Sequence, residues 1–128
     1  MRRAPERAPR VPWGEELGTG KGNCAGCGNP DTGKHTASVG SFPANGWKIA
    51  DMLGNVWEWV ADCANPGGYA GAPSDGRPRL SGSCALRGLR GGSWTTAARG
   101  VRSAARSFYP AQRRDINIGF RVATEVDM

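Results

Sequence analysis

The strongest alternation of large apolar and polar positions in the chain is Val56-Trp-Glu-Trp-Val60. It has the period of a β-strand, in which successive side chains face opposite ways. Gly54-Asn55 just before it is a turn signal, because both residues tolerate positive φ. An irregular loop running into a short aromatic strand is therefore predicted. Downstream, Ala85 to Trp94 carries Leu86, Leu89 and the pair Gly91-Gly92, which predicts a strand edge with close backbone approach. Val101 to Phe108 is predicted to be extended. Asp115 to Val122 is predicted as the last strand, with Ile116, Ile118, Phe120 and Val122 on one face. Lys48 to Leu53 has room for one helical turn that Gly54 would end. Between these elements, residues 18–36 and 62–83 show almost no apolar period. They are Gly, Pro, Asn, Asp, Ser and Thr, with Tyr69 the one large anchor of the second loop.

Composition sharpens this picture. With 20 glycines and nine prolines in 128 residues, the chain calls for many turns, short strands and little helix around one modest core. The segment 1–12 is charged, proline-broken and aperiodic, which predicts a disordered arm before a domain at 13–128. No run of 18 apolar residues encodes a transmembrane helix, and the N-terminus lacks the apolar segment of a signal peptide. The net charge of +6 comes from 14 arginines against three lysines, with no compact basic run interleaved with aromatics. That points to arginines serving ion pairs and backbone carbonyls, with neither nucleic acid nor membrane as partner. The four cysteines are Cys24-x-x-Cys27, Cys63 and Cys84, and His35 is the one histidine. This spacing disfavours zinc and leaves two disulfides, or one disulfide and free thiols. Cys63 with Cys84 is the expected pair, closing the Pro/Gly-rich loop between them. His35 in a polar loop gives no basis for a hydrolase.

Asp51 and Glu58 stand seven positions apart beside heavy apolar mass, so each needs a partner: an arginine, or a cation. Three blocks then weigh on the choice. Asp51-Met-Leu-Gly-Asn-Val-Trp-Glu-Trp-Val60, Leu89-Arg-Gly-Gly-Ser-Trp94 and Ile118-Gly-Phe-Arg-Val122, in this order, resemble the signature of the formylglycine-generating-enzyme, or sulfatase-modifying-factor, family. The resemblance runs from about Trp13 to Ala123 and matches the C-terminal portion of the family's domain; the family's N-terminal half has no counterpart. It implies an α+β, loop-rich, C-type-lectin-like fold with short antiparallel strands. It also implies two calcium ions. One would be held by the side chains of Asp51 and Glu58 and the carbonyls of Gly54 and Val56, the other by Asn23, the Cys24 carbonyl, Asp31 and the Gly33 carbonyl.

The family's oxidase converts a substrate cysteine to formylglycine with copper, oxygen and two cysteines placed just after the Gly-Gly-Ser-aromatic block. Here that stretch runs Ser93-Trp94-Thr95-Thr96-Ala97-Ala98-Arg99, with neither cysteine. A soft cuprous ion needs thiolates, so copper and oxidase activity are not expected. A monomeric module binding a protein or small-molecule ligand is the leading reading. Its face would comprise Trp57, Ser93, Trp94, Thr95, Thr96, Arg99, Arg106, Phe108 and Tyr109, with Ser107, Gln112 and Arg113 nearby. The alternatives are an active or accessory sulfatase-modifying oxidoreductase, and a ligand-binding variable protein of a diversity-generating retroelement, whose fixed blocks are similar.

Overall fold

A computed structural model of the chain describes residues 9–14 and 16–124. Four strands form one sheet: β1 (Trp57–Ala64), β2 (Ser83–Arg90), β3 (Arg106–Pro110) and β4 (Ile118–Gly119), in the order β3-β2-β1-β4. β1 pairs antiparallel with β2, and β2 with β3, whereas β4 lies parallel to β1, so the sheet is mixed. The remaining described chain is loop and turn, apart from a 3-10 turn at Ala98–Gly100.

β1 begins where the alternation predicts. Gly54 and Asn55 both have positive φ, 78° and 64°, and turn the chain sharply into the strand. At Gly54 any side chain would run into the Asn23 carbonyl, so the position needs glycine for space as well as for φ. The pairing of β1 with β2 is irregular between Trp59 and Cys63. Such a bulge increases local twist and bends the strand. The disulfide Cys63–Cys84 closes the long loop between the two strands, as expected, and Cys24–Cys27 forms a second one.

Several expectations need correction. Lys48–Leu53 makes no helical turn. Asn45–Lys48 is a turn, and Lys48 and Asp51 both have positive φ, which no α-helix accommodates. The strand expected from Val101 starts only at Arg106, because the chain bends at 102–104 and the Ala105 amide donates to Arg102. β2 is an interior strand, not an edge. The strand expected over 115–122 shrinks to two residues, and Ile116, Phe120 and Val122 are 72, 77 and 83% exposed. Periodicity without a partner surface does not build a strand. Of the arm expected at 1–12, residues 1–8 lie outside the described residues. At its end Val11 is buried and bridged to Gly14.

The core follows from this thin sheet. The main apolar cluster sits under the loops rather than on the sheet: Val11, Leu17, Cys24, Cys27, Leu53 and Val101, with Ala98 against it. Leu89, next to the end of β2 and paired with Trp59 on one side and Ser107 on the other, is wholly buried. One disulfide is thus part of the core itself.

Candidate functional site

Asp51, Gly54, Val56 and Glu58 line one cleft of about 240 Å3, closed on its other sides by Val39, Gly40, Phe120 and Arg121. The αL turn at Gly54-Asn55 and the start of β1 bring them together. Asp51 Oδ2 accepts the Gly40 amide at 2.7 Å. Glu58 accepts Arg121 through both oxygens: Nη2 lies 2.8 Å from Oε1, and Nε lies 3.2 Å from each. Arg121 Nη2 also donates to the Ala50 carbonyl at 2.8 Å. The hydrogen bonds that Arg121 donates to Glu58 raise the Arg121 pKa, partial burial opposes the rise, and the fields of Glu58 and Asp51 add to it.

The donors are hard oxygens of the kind calcium takes, two carboxylates and two carbonyls. Among the described residues no three His, Cys, Asp or Glu side chains gather, so a cation here would lean on those carbonyls. The set fits calcium in kind, with the Arg121 guanidinium as its competitor for Glu58.

The other proposed set centres on Asn23, which is buried. Its Oδ1 accepts the Gly33 amide at 2.9 Å, and its Nδ2 donates to the His35 carbonyl and to Asn55 Oδ1. Asn55 in turn exchanges bonds with the backbone of Ala37. Asn23, Cys24 and Gly33 are packed together, while Asp31 stands exposed at the loop surface. This set offers one carboxylate and a side-chain oxygen that already accepts an amide hydrogen, so it fits a cation less well than the first.

The nine residues of the expected ligand face fall into separate groups. Ser93 is buried, with its Oγ 2.9 Å from Thr95 Oγ1 and 3.3 Å from Thr96 Oγ1. Asn117 Nδ2 donates to Thr95 Oγ1 at 3.0 Å, and Trp94 Nε1 to the Ile116 carbonyl. The Trp57 amide donates to the Asn117 carbonyl, which places this half-buried residue at the same end of the sheet. Arg99 is elsewhere. Its carbonyl accepts Arg10 Nη2, and it lines a cavity of about 360 Å3 with Cys27, Leu17 and Val101. Arg106 and Phe108 lie on one face of β3, where the Arg106 guanidinium is 4.3 Å from the Tyr69 ring centre. Tyr109, on the opposite face, carries Arg113 at 4.7 Å.

The segment 95–98 is held from below by Ala25, between the two cysteines of the first disulfide. The Ala25 amide donates to Thr96 and the Ala98 amide to Ala25. All four cysteines are paired, and His35 is exposed with Nδ1 against the Thr36 carbonyl. Sequence reasoning missed Asn55, Asn117 and the role of Arg121. Asn55 could have been found from its place after Gly54, where a buried polar residue with positive φ must bond inward.

Comparison with known proteins bears on the family and the fold. The profile of the sulfatase-modifying factor enzyme 1-like domain matches residues 2–126. The chain is 34% identical to the formylglycine-generating enzyme of Streptomyces coelicolor, over 93% of this chain and 41% of that protein. It is also 34% identical to the hercynine oxygenase of Mycolicibacterium thermoresistibile, over 94% of this chain and 28% of that one. It spans less than half the length of these relatives. Among solved structures, PvdO from Pseudomonas aeruginosa superimposes with a TM-score of 0.71 at 39% identity, covering 79% of this chain and 38% of PvdO. Treponema denticola variable protein 1 superimposes at 0.54 and 28% identity, covering 69% and 31%. The loop-rich mixed sheet fits the C-type-lectin-like fold.

Proposed function

We propose, for a chain that belongs to the sulfatase-modifying factor enzyme 1-like family, a binding module that carries no thiol-oxidising centre. One observation carries this reading. Thr95 and Thr96, in the stretch where the resemblance implies a thiolate pair, present hydroxyls engaged with Ser93 and Asn117, and every cysteine of the chain is tied in a disulfide elsewhere. Hydroxyls are hard donors and do not hold a cuprous ion as thiolates do. The ligand face of this reading is formed by Trp57, Trp94, Thr95 and Asn117, with the buried Ser93 hydroxyl holding Thr95 from beneath. Incubation with a Cys-x-Pro-x-Arg peptide, copper and oxygen, followed by mass spectrometry, is expected to leave the peptide thiol intact. Detected formylglycine would reverse the proposal in favour of an oxidoreductase.

Calcium belongs to the same proposal. Asp51, Gly54, Val56 and Glu58 would hold one ion, and Asn23, Cys24, Asp31 and Gly33 a second and weaker one. Bound there, calcium would order loops that have little apolar mass of their own. Calorimetric titration after chelator treatment should show saturable binding, and a flat titration would remove calcium from the account. A retroelement variable protein is the second reading. The superposition on Treponema denticola variable protein 1 favours it, and a neighbouring reverse transcriptase gene with a template repeat would establish it.

A further inference from the structure

We propose that the turn at Gly68-Tyr69, with Arg90 and Arg106, forms an anion site that takes a phosphate-type oxyanion. Arg90 and Arg106 are direct cross-strand partners on β2 and β3. Like charges placed opposite each other in a sheet destabilise it. Tyr69 lies against both guanidiniums, at 5.3 Å from Arg90 and 4.3 Å from Arg106, and its hydroxyl accepts Arg90 Nη2. Arg79 reaches the same turn, donating to the carbonyls of Gly68 and Ala70. Three guanidiniums therefore converge on one turn.

No carboxylate among the described residues lies within ion-pair distance of any of them. The neighbour that could have served Arg90 is Glu58, its cross-strand partner on β1, but both Glu58 oxygens are committed to Arg121. Asp62 stays with the Arg79 backbone amide. Arg106 makes no side-chain hydrogen bond among the described residues. Room for its guanidinium exists because Gly68 has no side chain; a Cβ there would lie 3.0 Å from Nη2.

Arg90 Nη1 also reaches the Ser103 carbonyl at 3.5 Å, so the unspent fork is that of Arg106. An aromatic platform flanked by arginines, one of them with its donors unspent, matches an oxyanion that can take two parallel N–H bonds. This site goes beyond the hydroxyl face at Ser93 and needs neither calcium nor the missing cysteines.

The test is a titration with inorganic phosphate at low ionic strength, followed by amide and arginine side-chain NMR shifts. Saturable shifts at Gly67, Gly68, Tyr69 and Ser107 are expected. Arg106→Gln and Arg90→Gln should each weaken binding about tenfold, the loss of one charge-assisted bond. Arg113→Gln, which removes an arginine already paired with Asp115, should change it less than about twofold. Retained spectral dispersion establishes that each variant is folded. A parallel titration with phenyl phosphate tells a monoester ligand, which binds more tightly by stacking, from the free anion, which binds equally. Absence of saturation, or equal weakening by the Arg113 and Arg106 variants, overturns the proposal, because either outcome leaves only unspecific charge.

Discussion

Arg121→Met tests the part of the structure on which the cleft depends. The substitution keeps an apolar stem and removes a guanidinium that holds Glu58 by both oxygens and Ala50 by its carbonyl. The two side chains are 37 and 19% exposed, so the pair is neither a free surface bridge nor a sealed one. Its worth lies between the fraction of a kcal/mol of exposed pairs and the 3–5 kcal/mol lost on breaking buried ones, and we take about 1.5 kcal/mol. The Ala50 bond adds about 1 kcal/mol. Urea unfolding without calcium should therefore show a loss of about 2.5 kcal/mol, or a fall in Tm of roughly 8 °C for a domain of this size. In a cycle with Glu58→Gln, the coupling should be about 1 kcal/mol. Calcium should then restore stability to Arg121→Met more than to the parent, because its competitor is gone. At a hundredfold excess over Kd the return is about 2.7 kcal/mol. A loss below about 0.5 kcal/mol with additive single effects would mean that the guanidinium does not hold this cleft, and the competition argument would fall with it.

Other measurements reach other parts of the molecule. Asn55→Ala leaves the Ala37 amide without its acceptor, leaves Asn23 Nδ2 with the His35 carbonyl alone, and puts alanine at positive φ, so about 3 kcal/mol should be lost in the same unfolding assay. Replacing Cys24 and Cys27 together by alanine should speed hydrogen exchange at the Ala25 and Ala98 amides about tenfold or more, since both bonds join the bridged loop to the Thr96 segment. Unchanged exchange would show that the loop holds without the bridge. The Asp115 pKa is lowered, first by its hydrogen bond from Arg113 and then by the Ile116 amide. A carboxylate with a depressed folded value stabilises above its unfolded pKa and loses that as pH falls through the folded value. Carbon NMR should accordingly place Asp115 below the ordinary aspartate range, and Arg113→Gln should move it upward.

The elements legible in the sequence were those encoded by neighbours along the chain. The Val56–Val60 alternation after Gly54-Asn55 specified β1 and its start, and the Cys63–Cys84 pairing followed from the loop between them. Ile116, Phe120 and Val122 alternate just as clearly, yet the strand there is two residues long. Alternation states a preference, and a partner edge has to realise it. The site was legible as a set of residues but not as partnerships. That Glu58 and Asp51 needed company could be read from the chain. That Arg121 would supply it for Glu58, and leave Arg90 and Arg106 facing each other, depends on register across the sheet. Tyr69 looked like a loop's apolar anchor and is a platform between two cations instead.

Because β4 lies parallel to β1, no tight hairpin can bring the two together. The contact between Glu58 and Arg121 spans 63 positions of chain. During synthesis, then, one edge of the first strand waits unpaired, with the acidic end of the cleft open to water, until the residues near 118–121 emerge. In that interval the nascent chain holds an uncovered strand edge beside two tryptophans, which is the kind of surface that chaperones cover and that neighbouring chains capture.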